Sequence, residues 1–167
     1  MGLLDVKMSG YVPKENQEFG NKKKLIGDAV CQVTIEKFIS KKGKEWISLK
    51  AEAIHVIADD KGRQTTVEPS DSIDKLYDPE NNESLQELND DLFTAGISYE
   101  AGASEDATFA NIKVATDGKL VYYRTWAKDK TKDQIAKNPD KPSYFQNIKI
   151  LSVNKITPEN SVPQIVF

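Results

Sequence analysis

The side chains that most often carry catalysis are scarce in this sequence. His55 is the only histidine and Cys31 the only cysteine among the 167 residues, so zinc sites built from His and Cys clusters are excluded by number. His55 lies inside an apolar run, where a structural role is the common one, and neither GxxxxGK[ST] nor GxGxxG occurs as a phosphate-binding loop. The sequence therefore predicts no enzyme, no metal and no cofactor.

A second set of side chains is suited to binding, because aromatic and cationic residues alternate along predicted strands. Proteins that bind single-stranded nucleic acid combine aromatic platforms, on which bases stack, with a positive groove for the backbone. The same alternation also occurs in cross-strand packing and in protein interfaces, and that alternative remains open. We expect nucleic-acid contacts from the aromatic residues Trp46, Tyr122, Trp126 and Phe145 and from the cationic residues Lys41, Lys42, Lys44, Lys50, Arg124, Lys128 and Lys149.

Charge is distributed unevenly along the chain. Residues 58–106 contain 14 acidic side chains and 3 basic ones, a net charge of −11, whereas the rest of the chain carries +8. A basic part of this kind favours an anionic partner, and the acidic part either shields it or faces a different partner. The plainer alternative is that both are ordinary solvated surfaces.

The elements that would position these residues begin with a long hairpin. Residues 25–39 and 45–58 alternate apolar and polar side chains, and residues 40–44 form a basic turn centred on Gly43. In the second strand the alternation slips at Ile54, Val56 and Ile57, which predicts a β-bulge.

The remaining elements include one predicted amphipathic helix. Residues 79–95 are predicted to form it, with Asp78 as the N-cap, Pro79 at the first helical position and Gly96 as the C-cap. The segment has leucines at helical spacing and an acidic outer face. We also predict a short strand at 65–67, a linker at 69–78 and a short capped helix ending at Asn138. Further strands are expected at 109–115, 119–127 and 144–153, the first two joined by a hairpin turn at Asp117 and Gly118.

This order of elements predicts a mainly β fold, an antiparallel five- to six-stranded OB-like barrel with one α-helix inserted after the third strand. A helix-decorated β-sandwich is the alternative. We divide the chain into an irregular N-terminal arm (1–24), the barrel domain (25–156) with its acidic insertion (59–106), and a C-terminal tail (157–167). No segment approaches the length of a membrane span, and no secretory signal pattern precedes the domain.

Several stretches resemble small phage proteins of replication and recombination modules, several of which are OB-fold single-stranded-DNA-binding proteins. The resemblance spans residues 25–153 and is carried by LIGDAV (25–30), SKKGKEWISL (40–49), LFTAGI (92–97) and FQNIK (145–149). Many single-strand binders end in an acidic tail closed by an aromatic residue, which recruits partner enzymes. This chain ends in Phe167, but residues 161–167 contain no acid, so partner docking is expected to differ.

These observations lead to one preferred function and two alternatives. The preferred one is binding of single-stranded DNA without strong sequence preference, in the cytoplasm (the host cytoplasm if the protein is phage-encoded), with replication or recombination proteins as further partners and no membrane. The first alternative is a structural or adaptor β-domain, in which the aromatic residues anchor a protein interface. The second, a carbohydrate-binding module, fits poorly with the many lysines and the missing secretion signal.

Overall fold

The fold is built on one antiparallel sheet, seen in a computed structural model that describes residues 23–164. The arm predicted at 1–24 and the end of the tail lie almost entirely outside these residues. The mainly β prediction is confirmed, with five strands in the order β3-β2-β1-β4-β5. Their bounds are β1 (Gly27–Ile39), β2 (Glu45–Ile57), β3 (Ser72–Tyr77), β4 (Leu120–Asp129) and β5 (Tyr144–Leu151).

Two helices, rather than one, separate β3 from β4. They are α1 (Asn82–Thr94) and α2 (Glu105–Thr116), and a short helix, α3 (Lys132–Lys137), lies between β4 and β5. A 3-10 turn, Val153–Lys155, follows β5. None of the helices within residues 23–164 combines the length and the apolar character that crossing a membrane requires.

The inner face of the sheet forms the core. Alternate residues of β1 and β2 point inward and are fully or almost fully buried, as their apolar spacing predicts. The inner residues of β4 and β5, together with leucines from α1, join the same cluster. The members contributed by the two long strands are Ala29, Cys31, Val33, Ile35, Ile47, Leu49, Ala51 and Ala53.

The predicted bulge in β2 is present. The register with β1 shifts so that Val30 faces His55 while Cys31 faces Ala53, which leaves Ile54 as the extra residue. One inserted residue reverses which side chains point inward, and this explains why Val56 packs against the core although it breaks the earlier alternation.

Helix α1 lies at the open side of the sheet. β3 and β5 do not pair within the described residues, so the sheet is open and a closed barrel is not observed. Helix α1 nevertheless contacts both of these edge strands. Its Asp91 carboxylate accepts hydrogen bonds from Tyr77 Oη (2.6 Å) and Lys75 Nζ (2.7 Å) on β3. The sheet therefore curls enough for one helix to reach both edges.

The third strand was predicted in the wrong place. Residues 65–67 form no strand, although the amides of Thr66 and Val67 donate to the Ile26 carbonyl. The strand is β3, within the stretch predicted to be a linker. Its inward positions include Lys75, paired with Glu87 and Asp91 of α1. A lysine on the inner face conceals the alternation that normally identifies a strand.

The strand predicted at 109–115 is also wrong, because this segment belongs to helix α2. Ser104 caps the helix by accepting from the amide of Ala107, and acidic residues occupy the first turn. Asp117 and Gly118 end the helix instead of forming a hairpin turn. The Asp117 carboxylate accepts from the Ile35 amide (2.9 Å) and the Gly118 amide donates to the Val33 carbonyl (2.8 Å), so the turn is fixed against β1.

The other two helix predictions are confirmed with adjusted limits. α1 begins after Asn81, whose side chain accepts from the Ser84 amide, and not after Asp78. Gly96 follows its last residues with a φ of 76°, a conformation that glycine adopts readily. α3 has the capping box expected from Thr131 and Gln134.

Candidate nucleic-acid interface

The outer face of the sheet, opposite the core, carries the predicted binding residues. Strand register places Trp46 and Lys50 of β2 on it, together with Tyr122, Arg124, Trp126 and Lys128 of β4 and Phe145 and Lys149 of β5. Residues 41 and 42 lie in the turn between β1 and β2. The structure therefore brings the predicted residues onto one face but separates them into two groups.

The first group, here called the edge patch, comprises Trp126, Lys128, Lys130, Phe145 and Lys149. Trp126 faces Asn147 across the β4–β5 ladder, and Phe145 faces Lys128. Trp126 and Phe145 are thus diagonal neighbours, close enough for both rings to contact one ligand. They are 42% and 45% exposed, so each ring presents surface that the core does not use.

The cations of the edge patch are available to a ligand. Within residues 23–164, Lys128, Lys130 and Lys149 form no ion pair, and Lys130 Nζ lies 5.0 Å from the centroid of the Phe145 ring. Residues 124–149 contain seven basic and three acidic side chains, and one of the acids, Asp129, is paired with Lys24. This half of the outer face therefore attracts anions.

Arg124 differs from its neighbours because a carboxylate holds it. Its Nε and Nη2 donate to Asp28 at 2.8 and 3.0 Å, and these hydrogen bonds raise the pKa of Arg124 further. The pair lies in a polar cavity of about 330 Å³. Three aspartates and three cations line it, so it has no net charge: Asp28, Asp59, Asp60, Arg63, Arg124 and Lys155.

Tyr122 is poorly placed for the stacking that the sequence predicts. It is only 7% exposed, and its hydroxyl donates to Asp28 (3.2 Å). Lys155 Nζ lies 5.9 Å from the centroid of its ring. Burial, with the nearby Asp28 charge, raises the pKa of Tyr122 to about 12. Its ring already packs inside the protein, so we assign it a supporting role.

The second group, here called the hairpin patch, comprises Phe38, Lys41, Lys42, Trp46, Lys50 and Leu76. Phe38 lies directly opposite Trp46, and Leu76 lies opposite Ser48 on the other side of β2. Phe38 and Leu76 are missing from the sequence-based prediction. Phe38 could have been found by counting back across the turn at 40–44, whereas Leu76 belongs to the unpredicted β3.

The cations of the hairpin patch are less available than their number suggests. Lys41 and Lys42 are exposed in the turn. Lys44, also predicted as a contact, pairs with Asp78 (2.6 Å) and Glu80, and these hydrogen bonds raise the pKa of Lys44. Lys50 lies directly opposite Asp74, whose charge offsets its own.

The two patches lie at opposite ends of the outer face. Trp46 faces Phe38, and Arg124 faces Asp28, so the tryptophans are about 12 residues apart along the strand path, roughly 40 Å. The C-terminal segment 156–164 crosses between them. Its contacts include Val162 O with His55 Nδ1 (3.3 Å), and Gln164 N donates to Ile54 O (2.7 Å).

No cluster of metal-ligating side chains is found within the part of the chain that the structure describes. Neither the family models nor the curated proteins with which the chain was compared match it.

Proposed function

We propose that this domain binds single-stranded DNA without strong sequence preference, through the outer face of its sheet. The observation that carries the proposal is the edge patch, in which two half-exposed aromatic rings lie side by side among unpaired lysines. Bases of any type can stack on such rings, and the lysines can contact the phosphates. As a ligand, this combination favours a flexible anionic chain that carries aromatic bases over the surface of a folded protein.

The arrangement of strands and loops supports the proposal. A partly open five-stranded barrel, with oligonucleotides bound on the face of strands 2 and 3 and by the loops β1–β2 and β4–β5, is the design of the OB-fold. Here those two connections carry Lys41 and Lys42 at one end and Lys130 to Lys141 at the other. We propose an OB-like fold and, from the resemblance, a role in phage replication or recombination. The proposal includes no catalytic step.

The test is a titration of fluorescently labelled oligo-dT, followed by anisotropy at two salt concentrations. We expect binding that weakens steeply with salt, because lysine contacts release counterions from the phosphates. Trp126→Ala should weaken binding by about 5- to 150-fold, the loss expected for one stacked base.

The matched control is Phe93→Ala, which removes an equally aromatic but 84% exposed side chain from the acidic helix α1. It should leave affinity unchanged. A folded protein that fails to bind oligo-dT at low salt would refute the proposal. The adaptor alternative would then gain support if the protein instead forms an oligomer that buries both tryptophans.

A further inference from the structure

A groove between the two long helices lies on the other side of the hairpin from the hairpin patch. It has a volume of about 480 Å³ and lies where α1, α2 and β2 meet. Its apolar lining includes Ile47, Leu85, Leu88, Tyr99, Phe109 and Ile112. Because Ile47 and Trp46 are consecutive and point to opposite faces of β2, the groove is separate from the proposed DNA-binding face.

The walls of the groove are held in place by contacts within the protein. The Tyr99 hydroxyl donates to Asn89 Oδ1 at 2.5 Å. Lys37 Nζ lies 4.7 Å from the centroid of the Phe109 ring and 3.7 Å from the Asp106 carboxylate. Leu85, Tyr99 and Phe109 pack against the core while remaining partly exposed. The groove is therefore formed before any partner arrives, which lowers the entropic cost of binding.

The apolar surface continues past Tyr99 along helix α1. A shallower depression shares Asn89 and Tyr99 with the groove and is also lined by Leu92, Phe93 and Ile97. Phe93 is 84% exposed, so its ring extends the apolar surface beyond the groove. Large exposed aromatics beside a hydrophobic groove are typical anchors of protein interfaces.

The surroundings of the groove are strongly acidic. Residues 76–112 contain nine acidic side chains and no lysine or arginine. Some of these acids pair with Lys37, Lys44 or Lys75. Among the described residues, Glu83, Asp90, Glu100 and Glu105 form no ion pair, and Glu105 lines the groove. Such a field repels nucleic acid and anionic lipid and attracts cations.

We propose that this groove docks a short segment of a partner protein that presents apolar side chains flanked by lysine or arginine. The apolar residues would fill the groove and contact Phe93, and the cations would face the unpaired carboxylates. An amphipathic helix laid in a groove is the common form of such recognition. The proposal is independent of DNA binding, because it uses a different surface of opposite charge.

The test uses a synthetic peptide of leucine and lysine in amphipathic helical order, titrated into the full-length ¹⁵N-labelled protein. There are two comparison peptides. The first has the same composition in scrambled order, and the second has glutamate in place of each lysine. We expect shifts of amide signals confined to α1, α2 and Ile47, at least about tenfold tighter binding of the ordered basic peptide than of either comparison peptide, and no change in oligo-dT affinity.

Matched variants locate the site. Phe93→Ser and Val114→Ser each remove an apolar side chain that is 84% exposed, but only Phe93 borders the depression. Phe93→Ser and Glu105→Lys should each weaken peptide binding by about fivefold or more, whereas Val114→Ser should not. Any of three results would overturn the proposal. The scrambled peptide could bind as tightly as the ordered one, the two serine variants could have equal effects, or this chain could form a dimer that buries Phe93.

Discussion

Arg124 and Asp28 form a two-point ion pair across neighbouring strands, with N–O distances of 2.8 and 3.0 Å. Because it is paired, Arg124 adds little positive charge to the proposed DNA-binding face. Under the proposed function, Asp28 would limit the positive charge that a bound strand meets, and this role can be tested without changing any aromatic side chain.

Asp28→Asn should therefore strengthen binding of oligo-dT. An asparagine can still accept hydrogen bonds from Arg124 and Tyr122 but no longer neutralises the guanidinium. If Arg124 then contacts one more phosphate, the plot of log affinity against log salt steepens by about 0.7. Glu83→Gln, which removes an equal charge from helix α1 away from the outer face, serves as the control and should leave the slope unchanged. An unaltered slope for both variants would place Arg124 outside the interface.

The separation of the two patches predicts a dependence on oligonucleotide length. A strand of about four nucleotides cannot span roughly 40 Å even at about twice the duplex spacing of about 3.4 Å per nucleotide, whereas one of about twenty can at the duplex spacing itself. Trp46→Ala should hardly affect the short strand, which can still bind at the edge patch. It should weaken the long strand by about fivefold or more. Anisotropy of labelled oligo-dT measures both, and equal losses for the two lengths would contradict a two-patch interface.

Two buried tyrosines should respond in opposite ways to loss of their hydroxyl groups. Tyr123 Oη lies against the Cys31 thiol and makes no conventional hydrogen bond, whereas Tyr77 Oη donates to Asp91 at 2.6 Å. Tyr123→Phe should raise the free energy of unfolding by about 1 kcal/mol, and Tyr77→Phe should lower it by about 1–2 kcal/mol. Urea unfolding measures both changes, and destabilisation by Tyr123→Phe would reveal an acceptor for its hydroxyl.

Stability should fall in alkaline solution. Burial raises the pKa of Cys31, Tyr77 and Tyr123 above their ordinary values of 9.0 and 10.0. The folded protein keeps these groups protonated, while the unfolded chain releases their protons above about pH 9. Their contribution is therefore complete below that pH and is lost as pH rises. Urea midpoints should decrease between about pH 8 and 11, and the decrease should be smaller in Cys31→Ala with Tyr123→Phe.

The sequence was informative where apolar and polar side chains alternate in step with the two faces of a strand. The first hairpin, the Ile54 bulge and the outward position of Trp126 were all predictable, because each depends on whether neighbouring residues are apolar or polar. Prediction failed where a long-range contact reverses that rule. Lys75 points inward because it forms ion pairs with Glu87 and Asp91 of helix α1. No local sequence pattern indicates these two partners.

Helix α2 and Tyr122 illustrate the same limit in two other forms. Val114 is β-branched and follows a strand-like alternation, yet it lies 84% exposed on a helix that packs through Ile112 and Thr116. Tyr122 alternates with Arg124 and Trp126, and its burial depends on contacts with Asp28 and Lys155. In both cases tertiary contacts decide what local propensity leaves open.

Gln164 forms hydrogen bonds with the backbone at the β-bulge of β2, where no neighbouring strand supplies them. The Val56 amide donates to the Gln164 side chain (2.9 Å), while Gln164 N donates to Ile54 O. We therefore expect proton exchange at Val56 with solvent to be limited by detachment of the segment 156–164, and not by opening of the strands. A single amide would thus report separately on a segment that lies between the two patches, at the place where a ligand spanning both patches would have to pass.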